Sequence, residues 1–207
     1  WQNLAADDVL EAGKGYIMHC YNPDAESVWF TVKPLTTSVN RQLIFDGGNR
    51  TLPLEENLAE FEHNRSWNLI GNPYPSFFDS RFLDFGAPFM VWNNYLSNYV
   101  AYNPADDAYI LAPGEAFFVQ RPVDEESITF ISEGRQINSD VRTLVEAQNA
   151  PQRVRTAGRQ IYNFTIANGR QGDRTRVVLN DAANTDYEMT RDAAKFASTE
   201  PTVPQLY

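Results

Sequence analysis

"LAPGEAFFVQRPVDEESITF", Leu111 to Phe130, decides how this chain is read. Pro113 and Gly114 mark a turn, because proline presets φ and glycine accepts the positive φ that tight turns demand. "AFFVQR" is a short, continuously apolar run, the pattern of a strand buried in a sandwich core. "VDEES" is a polar turn, and "SITFISE" alternates Ile128 and Phe130 with polar residues, as a half-buried strand does. Together they predict a β-hairpin. The same plan occurs earlier in the chain. "LEAGKGYIM" (Leu10 to Met18) matches "LAPGEAFFV", both reading Leu-x-x-Gly-x-small-aromatic-apolar-apolar, and "ESVWF" (Glu26 to Phe30) matches "ESITF" (Glu126 to Phe130). The offset is 101 residues for the first pair and 100 for the second, so one single-residue indel relates them. Two matched blocks at matched spacing indicate a duplication and hence two related β units.

Outward from this stretch, "FMVWNN", "NYVAYN" and "AYILA" are three further short strands between Asn-rich turns. "RQLIFDGG" is a strand ending in a Gly-Gly turn. "LEENLAEFEH" (Leu54 to His63) is the one helix-like stretch of the first two-thirds. From Gly134 to Gly158 the chain is polar, with four Arg and no aromatic, as in a linker or a covering loop. "RQIYNFTIANG" and "RTRVVLN" then predict a hairpin, and "YEMTRDAAKFAS" a short helix or an irregular crossover. The expected fold is all-β: a jelly-roll-like β-sandwich over residues 1–138 built from the two related units, a linker or covering loop over 139–160, and the start of a second β-sandwich over 161–207.

"WNLIGNPYPS" (Trp67 to Ser76) is the most unusual stretch. Trp67, Leu69 and Ile70 read as a core strand with Asn68 at an edge, and Gly71 lets the backbone turn. Pro73 and Pro75 fix φ and push the preceding residues into extended geometry; either X-Pro bond is open to the cis form. Tyr74 is expected to pack against the end of the sandwich. The whole reads as a rigid corner.

The 207 residues are 43% hydrophobic, 21% charged and 13% aromatic, enough apolar matter for a real core and a lean towards β-structure. Acidic residues outnumber basic ones 27 to 17, for a net charge of −10, which disfavours nucleic acid or an anionic membrane as a partner. A single cysteine, Cys20, excludes an intrachain disulfide. No apolar run approaches the ~18 residues of a membrane span. Trp1 is not a natural start and the chain stops abruptly, so it is read as a piece of a longer protein, with its targeting signals elsewhere.

Chemistry finds little support in the residues. There are two histidines, His19 and His63, and no His-x-x-x-His, Cys-x-x-Cys or Gly-x-Ser-x-Gly. Zinc and a serine triad are poorly supported; a Cys20/His63 dyad is a remote reading. "EAGKG" lacks the spacing and the Ser/Thr of a phosphate loop, and its second copy carries Glu115 in place of Lys14. Carboxylates gather at Asp106 and Asp107, at Asp124 to Glu126, and at Asp181 and Asp186. They read first as solvated turns. Oxygen-rich loops can also hold calcium, with Asp186 and Asp192 as candidate ligands; no other cofactor is expected. Tyr95, Tyr99, Tyr102 and Tyr109 lie around Asn-rich turns with Asn94, an arrangement of rings and amides that suits stacking on sugars, set against ordinary core packing.

"WNLIGNPYPS", "VWNNYLSNYVAYN", "ILAPGEAFFVQ" and "SITF" occur in the same order in a known family. With "FTIANGRQGDRTRVVLNDAANTDYEMTRDAAKFAS" and the closing "VPQLY", they resemble the C-terminal regions of large surface proteins exported by the type IX secretion system of Bacteroidetes-type bacteria. The resemblance covers most of the chain, including Asp186, Tyr187, Asp192, Ala193, Lys195 and Pro204 to Tyr207. It implies β-sandwich modules near a C-terminal sorting domain, an extracellular or outer-membrane-anchored location, and no catalytic residue. It also implies that the second β unit continues beyond Tyr207, so that its edge needs a missing segment or a partner strand. The expected function is therefore a non-catalytic structural or adhesive surface module whose partners are glycans or cell-surface proteins. The alternatives are a carbohydrate-binding module and, more remotely, a fragment of a secreted hydrolase.

Overall fold

The computed structural model describes residues 4–5, 8–17, 47–105, 107–141, 159–169, 171–198 and 200–206. Most of the first repeat copy, Cys20 and most of the linker lie outside them. The described residues form an all-β protein of antiparallel sheets. The strands are β1 (Arg50–Pro53), β2 (Trp67–Gly71), β3 (Phe77–Asp79), β4 (Leu83–Asp84), β5 (Phe89–Asn93) and β6 (Asn98–Tyr102). They continue with β7 (Ile110–Leu111), β8 (Ala116–Gln120), β9 (Ser127–Phe130), β10 (Arg135–Gln136), β11 (Gln160–Asn168) and β12 (Gln171–Leu179).

One layer is the sheet β2-β8-β5-β6. The other is assembled from two short sheets, β1-β9-β4 and β10-β3-β7. Side chains of a strand alternate faces, and the core follows that rule. Ile70, Phe89, Val91, Phe117 and Val119 point inward from the first layer and meet Phe78, Leu83, Leu111, Ile128 and Phe130 from the second. Their rings interlock edge-on: Phe89 with Phe117 at 5.2 Å and Phe78 with Phe130 at 5.1 Å between centroids. Each fully buried phenylalanine stabilises the fold by about 1.5–3 kcal/mol. This is the sandwich that the apolar runs predict.

The pairing of β8 and β9 differs from the expectation. They do not form a hairpin: β8 lies between β2 and β5, whereas β9 lies between β1 and β4 in the opposite layer. Both edges of β8 are occupied, so the chain between them crosses from one layer to the other. The polar turn has a use there, as Glu125 accepts the Gly86 N–H at 2.9 Å. The helix expected over Leu54–His63 is also absent. Leu54 is buried, but Leu58 and Phe61 are 88% and 56% exposed, so a helix would have no continuous face to bury. The segment instead runs irregularly to a single 3-10 turn at Glu62–Asn64. Arg65 Nε donates to Ala59 O and holds it there.

The two repeat copies share a turn. Glu115 N–H donates to Ala112 O and Lys14 N–H to Glu11 O, with Gly114 at φ +72° and Gly13 at φ +91°. Positive φ at the third residue, with Pro113 at the second position of the later copy, is the type II arrangement. The copies flank β2. Ala116 pairs with Gly71 on one side, while Gly15 N–H donates to Leu69 O and Gly71 N–H to Gly13 O on the other. Glycine at position 15 is required, because a Cβ there would sit 2.3 Å from Leu69 Cγ.

The Trp67–Ser76 corner is held by Asn72. Its Nδ2 donates to Ser76 O (2.9 Å) and Ala112 O (3.0 Å), and its Oδ1 accepts Tyr74 N–H (3.1 Å). All peptide bonds among the described residues are trans, those before Pro73 and Pro75 included. Tyr74 is buried within the core between Phe78 and Phe130, and its hydroxyl lies 2.9 Å from Gly48 O and 3.0 Å from Phe130 O. Burial raises its pKa. Within β2 the expected assignments are partly reversed. Ile70 faces the core, but Trp67 and Leu69 are only half-buried and alternate to the outer face. Asn68 is buried rather than at an open edge; it exchanges hydrogen bonds with Glu55 N–H and Glu55 O.

The hairpin expected near the C-terminus is present: β11 and β12 pair from Gln160↔Leu179 to Asn168↔Gln171. After it, the chain of residues 180–198 and 200–206 is irregular, as one of the two readings of "YEMTRDAAKFAS" anticipates, and Phe196 packs on the outer face of the first layer. Phe196 lies 4.6 Å from Trp67, 5.2 Å from Tyr99 and 5.3 Å from Phe118 between ring centroids.

Candidate ligand cleft

Hairpin, sheet and C-terminal segment enclose a cleft. β6 is the edge strand of the first layer, and β12 docks beside it. Gly172 N–H donates to Leu96 O at 3.0 Å, and Asn98 Nδ2 reaches Gly172 O at 3.4 Å. Gly172 is tight here, since a Cβ would come 2.6 Å from Ile166 O. Between the two strands is a cavity of about 230 Å³, lined by Met90, Tyr99, Tyr102, Arg174, Arg176 and Phe196 among others.

The aromatic wall comes from β6. Tyr99 stands on the outer face, edge-on to Trp92, Phe118 and Phe196 at 5.1, 5.6 and 5.2 Å. Tyr102 stacks on Phe89 at 5.7 Å and tilts against Tyr109 at 4.5 Å. Both rings are half-buried. Among the described residues neither hydroxyl makes a hydrogen bond, so each has a donor and an acceptor to offer. Burial raises the pKa of both; for Tyr102, Asp107 and Glu115 push upward as well while Arg174 and Arg176 oppose them.

The cationic wall comes from β12. Arg174, Arg176 and Val178 fall on one face through the two-residue period of a strand. Arg176 forms a forked ion pair with Asp107, at 2.5 Å (Nη1–Oδ2) and 2.8 Å (Nη2–Oδ1), and its Nε donates to Asn163 Oδ1 at 3.0 Å. Such bidentate pairs fix geometry as well as charge. Arg174 is different: its Nη2 donates to the same Asn163 oxygen at 3.2 Å, and among the described residues it has no carboxylate partner. Lys195 pairs with Asp173, and Arg191 with Glu188 at 3.1 Å. Asp192 also lines the cavity, its Oδ2 accepting Glu188 N–H at 2.8 Å.

The structure divides the aromatic residues that the sequence picks out. Tyr99 and Tyr102 line the cleft. Tyr95 is 66% exposed on the β5–β6 turn, where Asn94 Oδ1 accepts Trp92 Nε1–H, and neither residue lines the cleft. Tyr109 faces the interior; its hydroxyl donates to Glu115 Oε1 at 2.7 Å, and burial and that carboxylate raise its pKa strongly. Asp186 and Asp192 are not drawn together with a third ligand: no group of three or more His, Cys, Asp or Glu suited to a metal occurs among the described residues. Asp186 N–H simply closes a turn on Asn184 Oδ1. His63 stacks on Phe61 at 5.6 Å, and the dyad with Cys20 lies outside the described residues.

Arg174, Arg176 and Phe196 are residues that motif reading misses, and Lys195 is marked only by the family resemblance. The signal for two of them is present in "DRTRVV", where arginines alternate at strand period in an acidic chain. Phe196 carries no such signal, since it sits in irregular chain. No helix among the described residues is long and apolar enough to cross a membrane. Comparison with protein-family models, with curated proteins and with solved structures finds no match for this chain.

Proposed function

We propose that this chain is a non-catalytic, adhesive β module of a surface-exposed protein, and that it binds saccharide in the cleft between β6 and β12. One observation carries the reading. A cavity of about 230 Å³ is walled by two tyrosines, Tyr99 and Tyr102, whose hydroxyls have no hydrogen-bond partner among the described residues. Sugars are bound by this combination of ring faces and unspent hydrogen-bonding groups. The volume, below the ~300 Å³ of a drug-sized site, suits a single sugar ring. The absence of a recognisable catalytic motif in the sequence supports a binding role, and the resemblance to type IX exported proteins supports the surface location.

Tyr102→Phe tests the reading, because it deletes a hydroxyl and leaves the stack on Phe89 in place. Wild-type chain is expected to retain particular saccharides on a glycan array, and Tyr102→Phe and Tyr99→Ala to lose them while melting cooperatively. An array on which no saccharide is retained refutes the proposal.

A purely structural spacer is the second reading. The observation favouring it is β11, all of whose residues are exposed, with Tyr162, Phe164 and Ile166 at 47%, 50% and 39%. An open apolar edge of this kind suits a module continued by further β-structure.

A further inference from the structure

We infer that the cleft selects a saccharide bearing a carboxylate, a uronic acid unit, and that Arg174 is the residue that reads the acid. This rests on the saccharide reading of the same cleft. Four other cations line the cleft: Arg176, Arg191 and Lys195 already face carboxylates, Asp107, Glu188 and Asp173, and Arg159 is not without a partner either. Arg174 stands apart. It is half-buried on the cleft-facing side of β12, and among the described residues only the neutral amide oxygen of Asn163 accepts from its side chain. A partly desolvated guanidinium with a neutral partner has its strongest interaction still to make, since a charge-assisted pair is roughly twice as strong as a neutral one.

Geometry and charge narrow the ligand. Asn163 receives both Arg174 Nη2 and Arg176 Nε, at 3.2 and 3.0 Å, and so orients the two guanidinium groups side by side. Asp107 holds Arg176, so that of these two guanidinium groups Arg174 is the one with no carboxylate partner among the described residues. One such group matches the single charge of a carboxylate, whereas a phosphate monoester carries about −1.5 to −2 and calls for more cations. Arg174 and Tyr102 both line the cavity. A pyranose ring against the tyrosines would set a ring carboxylate towards Arg174 and its hydroxyls towards the free tyrosine O–H groups. The chain is −10 overall, which disfavours a diffuse anion-binding surface, so selectivity for an acid has to come from a local site.

The test uses the whole chain and calorimetric titration with three probes: trigalacturonic acid, the neutral galactose trisaccharide of the same linkage, and triglutamate peptide. Trigalacturonic acid is expected to bind at least about 10-fold tighter than the neutral trisaccharide, the scale of one charge-assisted hydrogen bond. Arg174→Gln, which keeps a donor for Asn163, is expected to remove most of that difference. Raising salt from about 0.05 to 0.5 M should shrink it for the wild type, a readout that holds even if the variant folds poorly. Equal binding of acidic and neutral trisaccharides overturns the inference and leaves the saccharide reading standing. Binding of neither overturns both. Triglutamate binding as tightly as the uronate overturns the inference in favour of an acidic peptide.

Discussion

Asn72→Ala is expected to be among the most damaging single substitutions outside the aromatic core. Asn72 is 6% exposed, and its side chain makes three hydrogen bonds, to Ser76 O, Ala112 O and Tyr74 N–H. Its own N–H donates to Glu115 O at 2.9 Å, and alanine would keep that bond. Truncation therefore orphans two carbonyls and one N–H around a closed corner. Each unsatisfied buried group costs about 1–3 kcal/mol. The Ser76 and Ala112 carbonyls are partly reachable by water, so the lower end applies, and the sum is about 3 kcal/mol. At roughly 2–4 °C per kcal/mol for a chain of this size, the melting temperature should fall by about 6–12 °C. Asn72→Asp separates geometry from hydrogen bonding. It retains the acceptor for Tyr74 N–H but places a carboxylate against two carbonyls, so it should be at least as harmful as alanine. Thermal unfolding followed by circular dichroism reads both variants, with Asn94→Ala as the exposed-turn control, expected within about 0.5 kcal/mol of wild type. A drop below about 1 kcal/mol for Asn72→Ala would refute the claim that this side chain locks the corner to the Pro113-Gly114 turn.

Other outcomes follow from the same structure. Phe196→Ala removes the ring that lies among Trp67, Tyr99 and Phe118, and should cost about 2–4 kcal/mol, shift the emission of the tryptophans and speed proteolysis within residues 187–206; unchanged cleavage would show that the segment is not pinned there. Gly114→Ala meets open space but a φ of +72°, so strain alone should cost about 1 kcal/mol by chemical denaturation. Gly13→Ala adds a Cβ 2.5 Å from Leu52 Cδ2 to a φ of +91° and should cost more, and a reversed order would refute the shared-turn assignment. Burial pushes Tyr187 up to about 12 and raises Tyr74, Tyr99, Tyr102 and Tyr109 as well. A raised folded pKa means that the folded chain holds its proton longer than the unfolded one. That stability is complete below about pH 10 and is lost as pH climbs towards 12. Absorbance of phenolate at 295 nm should then rise together with unfolding; phenolate appearing for all ten tyrosines near pH 10 in a folded chain would contradict the burial.

Much of the local structure was legible in the residues. The alternation in Ile128 and Phe130, the apolar run at Phe117 to Val119 and the Asn-rich turns all mark strands where strands occur. The matched glycines of the two repeat copies, Gly13 and Gly114, share a positive φ, so the repeat is reflected in backbone geometry. Leu54–His63 is rich in helix-forming residues, but with Leu58 and Phe61 exposed a helix there has no continuous face to bury, and only a 3-10 turn forms. Of the four tyrosines near the turns, two line the cleft, one is on a turn and one is in the interior. Strand phase alone does not separate them, because Tyr102 ends β6 whereas Tyr109 lies outside the strands, just before β7.

By itself the sequence determined what is local: β class, strand positions, the proline and glycine turns, and the β11–β12 hairpin closed by its own short loop. Those features depend on side-chain period and on φ preferences that a few neighbouring residues settle. Tertiary structure decided which strands pair. β9 lies seven residues after β8 yet belongs to the opposite layer, since β2 and β5 already occupy both edges of β8. It also decided that Asp107 meets Arg176, 69 residues away, and that Phe196 closes over Tyr99. Loop closure becomes costlier only slowly with length, so chain separation scarcely constrains such pairings. Vacant edges, complementary charge and uncovered rings choose among them, and those exist only once the layers have formed.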